Sequence, residues 1–161
     1  MGETRTIAAV APLWTPKEEG DYEMSVAYVG QEMADAAYPI KSFVDAGANV
    51  VFHSDYPVSS DMGIARSVYM AEVRALPEES RGGMATQRNA GEAINREQAL
   101  AAMTINVARQ WRQEDRMGSI EYGKLANMTV LDCDLIHDDL QKIVDAQVVA
   151  TIVDGEEVYR A

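Results

Sequence analysis

The chain has 161 residues, 47% of them hydrophobic, which is enough for one modest buried core. A formal net charge of −12 and a pI near 4.5 argue against a nucleic-acid partner, since the phosphate backbone is bound by clustered lysines and arginines. One cysteine excludes an internal disulfide and is typical of a reducing compartment, so a cytoplasmic protein is expected. No run approaches the roughly 20 apolar residues of a membrane span, so no membrane partner is expected.

The first predicted element is a short apolar strand, Thr6 to Leu13, which Pro12 and Pro16 end. Trp14 follows it directly, and two interpretations stay open: it borders a substrate pocket, or it packs at the rim of the fold. A charged loop then leads to a predicted helix over about Glu23 to Ala36.

A second helix is indicated by apolar residues spaced at i, i+3 and i+4. Pro39 suits its first turn, Ile40, Phe43 and Val44 share one face, and Gly47 ends it. A helix followed by a strand, twice over, is typical of parallel βα units, so the sequence predicts an α/β fold.

The most informative stretch is Ala48 to Ser59, an apolar run that ends abruptly in polar residues. It is typical of a buried parallel strand, along which Val51, His53 and Asp55 share one face. Asp55 then stands at the carboxyl end of the strand, where α/β barrels hold their catalytic residues. The alternative is that Asp55 only opens a turn before Pro57.

A helix is predicted after this strand. Its spacing brings Ile64, Val68, Ala71 and Ala75 onto one face, and Met62 and Met70 are interpreted as core residues rather than cofactor contacts.

The segment Pro77 to Ile94 breaks all periodicity and is predicted to be an exposed, mobile loop. Arg81 or Arg88 could meet an anionic substrate there, or both could simply face water. Asn95 and Gln98 then have the spacing of a capping box that starts a helix.

That helix is predicted to be long, with a buried stripe of Leu100, Met103, Val107 and Trp111. Beyond Met117 the pattern changes from helical to short strands.

Two strands are predicted in this last part, Met128 to Leu131 and Val148 to Val153, with a hairpin turn at Asp154-Gly155. Between them a short helix is predicted over His137 to Val144, with His137 exposed to solvent near its start. Cys133 is interpreted as a small apolar filler, because no histidine lies near it in sequence to activate it.

Three blocks in order resemble the amidohydrolase superfamily, specifically the family 3 (YtcJ-like) metal-dependent hydrolases. They are Tyr38 to Ser59, which includes the Ser-Asp-x-Pro sequence around Asp55, then Asn95 to Trp111, then Glu114 to Ile136. The resemblance covers nearly the whole chain. Asn127 stands where the family usually has Asp, at a position that is structural in the family.

The resemblance implies the last βα units of a TIM-like (β/α)8 barrel over residues 1–117 and the C-terminal part of a small β-sandwich over residues 118–161. It implies hydrolysis of C–N bonds in small amide-type substrates by a metal-activated water. Asp55 is the one metal ligand that can be carried over, and it would also take a proton from that water. His53 would orient Asp55 by contacting its carboxylate rather than the metal.

The family's His-x-His pair is absent, since the two histidines are His53 and His137. Catalytic zinc takes three protein ligands and an open position. We therefore expect a C-terminal piece of a longer enzyme that binds no metal and is inactive alone, although zinc is expected in the full-length family. The alternative is a non-catalytic oligomeric or binding protein derived from a hydrolase fragment. Unpaired barrel edges predict a homo-oligomer through Thr6 to Leu13 or the C-terminal strands.

Overall fold

The computed structural model describes residues 6–59 and 63–161, so Met62 lies outside the described residues. The described residues form two separate sheets, one parallel and one antiparallel, with helices between and around them. The elements are β1 (Ile7–Val10), α1 (Asp21–Val29), α2 (Gln31–Asp35), α3 (Ile40–Asp45), β2 (Asn49–Phe52), α4 (Ile64–Val73), α5 (Arg96–Met103), α6 (Ile105–Gln110), β3 (Met128–Leu131), α7 (Leu140–Val144), β4 (Val148–Val153) and β5 (Glu156–Arg160).

Strands β1 and β2 pair in parallel, with Ile7 opposite Asn49. The ladder continues one residue beyond β2, because the amide of His53 donates to the carbonyl oxygen of Val10 over 3.0 Å. The predicted strand pair is confirmed, but β1 is shorter than predicted. Pro12, which cannot donate to a ladder, starts a 3₁₀ turn instead.

The two faces of this small sheet differ in burial. Ala8, Val10 and Val50 point into a core formed with α3, α4 and α5. On the opposite face Ile7 and Ala9 are exposed. Among the described residues, one side of the sheet is therefore covered by helices. The other side is open at β1, although Val51 of β2, opposite Ala9, is only 2% exposed.

The helix predicted over Glu23 to Ala36 is in fact two helices. Gly30 separates α1 from α2, with φ of 82° and ψ of 159°, an extended conformation of positive φ that ends the first helix.

The helix before β2 is confirmed. Pro39 immediately precedes α3, and Ile40 is fully buried while Phe43 and Val44 pack against the core. Gly47 follows with φ of 71°.

Helix α4 buries Val68 and Ala71 as predicted, and Met70 is a core residue. The prediction is wrong for Ile64, which is 36% exposed, and Ala75 is buried but lies outside the helix. Arg74 ends α4 in a left-handed conformation, with φ of 59°, so the helical face does not reach Ala75.

The prediction of an exposed loop over Pro77 to Ile94 is wrong for its middle. Three 3₁₀ turns occupy the segment, and both Thr86 and Arg88 are buried. The Thr86 hydroxyl accepts from the amide of Leu76 over 2.8 Å and donates to the carbonyl of Gly83 over 2.6 Å. These bonds satisfy backbone groups that would otherwise need water.

Asn95 and Gln98 form the predicted capping box at the start of α5. The long helix itself is interrupted at Thr104, where ψ of −95° separates α5 from α6. The predicted stripe is also displaced: Trp111 is 68% exposed, and the buried positions are Ala99, Ala102 and Ala108. The side chains that face the core here are alanines. The positions of the large apolar residues therefore did not identify the buried face.

The C-terminal sheet is an antiparallel meander in the order β3-β4-β5. The Asp154-Gly155 turn is confirmed, and Asn127 supports it by accepting from the amide of Asp154 over 2.8 Å. Helix α7 begins later than predicted, at Leu140, after Asp139 caps it. His137 lies outside the helix and is exposed, as expected of its side chain.

Contacts tie this C-terminal part to the helices. Ile143 of α7 is fully buried beside Leu13, Met70 and Leu76. Arg96 forms an ion pair with Glu72 and also donates to two carbonyl oxygens near the start of α7. The division predicted at residue 117 therefore marks a change from helices to strands, and its status as a domain boundary stays a prediction. Within residues 6–59 and 63–161, none of the helices has the length and apolar character to cross a bilayer.

Candidate active site

Asp55 lies three residues beyond the end of β2, exposed, in a left-handed conformation with φ of 58°. Its carbonyl oxygen accepts from the amides of Val58 over 2.8 Å and Ser59 over 3.3 Å. The sequence allowed two interpretations of Asp55, a residue at the carboxyl end of a parallel strand or a residue that opens a turn. Its position agrees with both, because the turn directly follows the strand. Because strand alternation ends with the extended backbone, the predicted face shared with Val51 does not extend to Asp55.

His53 continues the ladder through its backbone and exposes its side chain. Among the described residues no hydrogen bond joins the side chains of His53 and Asp55. The orienting role predicted for His53 stays a prediction.

Trp14 connects the turn after β1 with the turn after β2. Its indole Nε1 donates to the hydroxyl of Ser59 over 2.8 Å, and the ring is 37% exposed. The side chain thereby borders a cleft next to the segment that carries Asp55.

This cleft encloses about 460 Å³ between α1, α4 and the turns that follow β1 and β2. Apolar and polar groups both line it, with Trp14, Tyr38 and Val58 among them. Its charged lining residues are Glu18, Asp21, Arg66, Arg81 and Arg88. Three arginines at one cleft are notable in a chain of net charge −12.

The cleft arginines have different partners. Arg66 forms an ion pair with Glu78, and Arg81 forms one with Glu18. Both are partly exposed, so solvent screens these pairs and they contribute little to stability.

Arg88, for which the sequence left open a contact with an anionic substrate or exposure to water, is only 3% exposed, so exposure to water is wrong for it. Its guanidinium donates to the carbonyl of Pro16 over 2.8 Å and lies 5.2 Å and 5.3 Å from the ring centres of Tyr22 and Tyr38. Burial lowers the pKa of Arg88. The aromatic faces partly offset the loss of hydration of the cation.

Arg74 is a buried residue that the sequence did not single out. Its Nε donates to the carbonyl of Arg88 over 2.8 Å and its Nη2 to the carbonyl of Ala37 over 3.2 Å. Burial, with the nearby charge of Arg88, lowers the pKa of Arg74 to about 10. An arginine at a helix C-terminus is common, so nothing in the local sequence indicated burial.

Strand β2 also has an edge contact that sequence reasoning missed. Asn106 of α6 donates from Nδ2 to the carbonyl of Val50 over 2.9 Å, and Asn49 donates to the carbonyl of Asn106 over 3.0 Å. The edge of β2 that faces away from β1 is therefore partly satisfied by a helix.

The side chains of the described residues do not form a metal site. No group of three or more His, Cys, Asp or Glu residues in that part of the chain is arranged to hold an ion. The contact between His137 and Asp134, at 2.8 Å, involves two residues of the C-terminal part. Burial raises the pKa of the Cys133 thiol, which makes it a poor nucleophile. Asp55 thus offers a single carboxylate.

Comparisons with known proteins identify a family and two curated relatives. The amidohydrolase family model (Amidohydro_3) matches residues 1–159. N-substituted formamide deformylase of Arthrobacter pascens is 34% identical over 118 residues, which are 73% of this chain and 20% of that protein. Protein LONG AFTER FAR-RED 3 of Arabidopsis thaliana is 29% identical over 160 residues, 99% of this chain and 26% of that protein.

Solved structures give the same result for the fold. An amidohydrolase from Thermotoga maritima MSB8 superposes with a TM-score of 0.56 at 23% identity, over 76% of this chain and 26% of that one. An adenosine deaminase from Xanthomonas campestris with bound zinc gives 0.54 at 24% identity, over 74% of this chain and 27% of that one. The chain spans about a quarter or less of the curated relatives' length. With the family match extending over residues 1–159, the chain belongs to the amidohydrolase family.

Proposed function

We propose that this chain supplies the Asp55 part of an active site that hydrolyses C–N bonds in small amide-type molecules. The observation that carries the proposal is the position of Asp55, at the carboxyl end of a parallel strand in a member of the amidohydrolase family. Catalytic residues of α/β barrels come from such strand ends.

The sheet supports an origin in a barrel. We propose that β1 and β2 are the last two strands of a TIM-like barrel, with Ile7 and Ala9 on its inner face. Those two residues are exposed, whereas Ala8 and Val10 on the other face are covered by helices. A barrel has this arrangement, since helices cover its outside and the remaining strands enclose its inside.

The chemistry proposed for Asp55 is general acid–base catalysis. The carboxylate accepts a proton from the attacking water and returns it to the nitrogen of the departing amine. Its exposure leaves the oxygens accessible to such a water. Trp14 and Ser59, joined by their hydrogen bond, position the adjoining wall of the cleft.

The family expectation includes a divalent metal, and a relative has been solved with zinc. The described residues do not form a site for one, so we propose that this chain is inactive alone.

A chimera tests the proposal. The 118 residues of this chain that align with the Arthrobacter pascens deformylase, Asp55 among them, replace the matching segment of that protein. Hydrolysis of an N-substituted formamide is then measured by release of the amine. We expect measurable turnover that Asp55→Asn lowers by about a thousandfold, since removing an acid–base group typically costs 10²–10⁴ in rate. Asp45→Asn, at an exposed helix residue, is the control. A folded, active chimera that is indifferent to Asp55→Asn contradicts the proposal.

A second candidate function is a non-catalytic, self-associating protein. It is favoured by apolar side chains that the C-terminal sheet leaves exposed: Val130, Val153, Val158 and Tyr159. Exposed apolar groups on strands with open edges promote association.

A further inference from the structure

Helix α1 forms one wall of the cleft but is weakly packed. It contributes Asp21, Met24 and Ser25 to the cleft lining. None of its residues is buried, and its contacts are mainly with α2. Helices in proteins are stabilised chiefly by burying one face, so α1 has little of the usual stabilisation.

Both ends of α1 are glycines with positive φ, which L side chains rarely adopt. Gly20 has φ of 90° and Gly30 has φ of 82°, and a Cβ built on either meets no atom within 4 Å. Glycine has the greatest backbone freedom of any residue, and here the space around it is also open. We infer that α1 is a hinged lid over the cleft, turning at Gly20 and Gly30 and held closed by Tyr22.

Tyr22 is the latch because it carries the side-chain bonds of the helix to its neighbours. Its hydroxyl donates to Asp35 Oδ1 over 2.6 Å and accepts from Gln31 Nε2. Its ring lies 5.0 Å from Lys17 Nζ and 5.2 Å from the Arg88 guanidinium. Within the described part of the chain, the side-chain hydrogen bonds from α1 to α2 all involve Tyr22.

Opening of α1 changes what the cleft presents to solvent. When Tyr22 leaves, one aromatic face is removed from Arg88, whose Nε has no hydrogen-bond partner in the closed form. The lid therefore controls access to a cleft lined by three arginines, two of which are paired with Glu78 and Glu18. This inference concerns access alone and holds whether or not Asp55 carries chemistry.

Hydrogen exchange of the 161-residue chain tests the latch. Tyr22→Phe keeps the ring but removes the hydroxyl that binds a carboxylate. We expect exchange of the α1 amides to accelerate about tenfold, the effect of losing a hydrogen bond to a charged group. Amides of β1 and β2 should exchange at the wild-type rate. Tyr28→Phe is the matched control, because Tyr28 lies on the same helix and is 83% exposed.

Two results would contradict the lid. In the first, the α1 amides exchange at the same rate in Tyr22→Phe and Tyr28→Phe. In the second, Tyr22→Phe accelerates the amides of β1 and β2 by the same factor as those of α1, which means that α1 opens only with global unfolding. The wild-type chain gives a check that does not depend on the variant's folding. Exchange of the α1 amides should be nearly insensitive to low urea while that of β2 rises, since local opening exposes little surface. Equal urea dependence contradicts the lid.

Discussion

Arg74 and Arg88 are joined by two hydrogen bonds of opposite direction. The amide of Arg88 donates to the carbonyl of Arg74 over 3.0 Å, and the Nε of Arg74 donates to the carbonyl of Arg88 over 2.8 Å. The pair fastens the end of α4 to the segment that leads to α5. Two positive charges are thereby held close together. Backbone carbonyl oxygens, rather than carboxylates, accept the hydrogen bonds of both guanidinium groups.

Replacement of Arg74 tests this arrangement. Arg74→Met leaves the carbonyls of Arg88 and Ala37 without their donors, although it also removes a buried charge. We expect the lost bonds to dominate and the free energy of unfolding to fall by about 2 kcal/mol, measured by urea denaturation. Arg112→Met is the matched control, since Arg112 has nearly the same φ, 56°, and is exposed. It should change stability by less than about 0.5 kcal/mol.

The zinc content of the purified chain tests whether it has enough ligands to hold a metal ion. The purified chain should contain well under one equivalent of zinc by elemental analysis, because catalytic zinc takes about three protein ligands and Asp55 is one. Asp55→Ala should leave that content unchanged. Stoichiometric zinc that disappears with Asp55→Ala would contradict the prediction.

The pKa of Asp35 tests the role of Tyr22. The hydrogen bond from Tyr22, with those from Gln31 and Lys17, lowers the pKa of Asp35 to about 2. A carboxyl whose pKa is lower in the folded state stabilises that state at pH above its unfolded value, and the contribution is lost as pH falls towards 2. In a carboxyl-carbon NMR titration, Tyr22→Phe should raise the midpoint of Asp35. Tyr28→Phe should leave the midpoint unchanged; an unchanged midpoint in both variants refutes the assignment.

Association remains the prediction for the isolated chain. Light scattering coupled to size exclusion should show a dimer at micromolar concentration, through an apolar surface, because net charge −12 opposes contact between acidic surfaces. Val158→Lys should give a monomer if the C-terminal sheet forms the interface, and Ile7→Lys if the sheet of β1 does. A compact wild-type monomer would show that the edges are closed within the chain, as Asn106 already does for part of β2.

Local chemistry explains most of what the sequence predicted correctly. The capping box of Asn95, the turn at Asp154-Gly155 and the end of α3 at Gly47 each depend on a few neighbouring residues. The parallel pairing of β1 and β2 followed from repeated strand and helix patterns. The position of Asp55 beyond a strand was predicted by the same reasoning.

Features that depend on distant contacts were not predictable in this way. Arg88 can be buried because it donates a hydrogen bond to the carbonyl of Pro16 and lies against the rings of two tyrosines. Those partners lie 50 or more residues away from it in sequence. Alanines form the buried face where α5 and α6 contact β2. The spacing of large apolar residues does not identify such a face.

The burial of the Thr86 region has a consequence for proteolysis. By composition, Pro77 to Ile94 resembles a segment that trypsin would cut at each arginine. In the folded chain the two arginines differ in their accessibility to trypsin, because Arg81 is partly exposed whereas Arg88 lies between tyrosine rings. Limited digestion should cut this segment after Arg81 and spare Arg88. A single cleavage site within Pro77 to Ile94 would show that this apparently unstructured segment is part of the folded core.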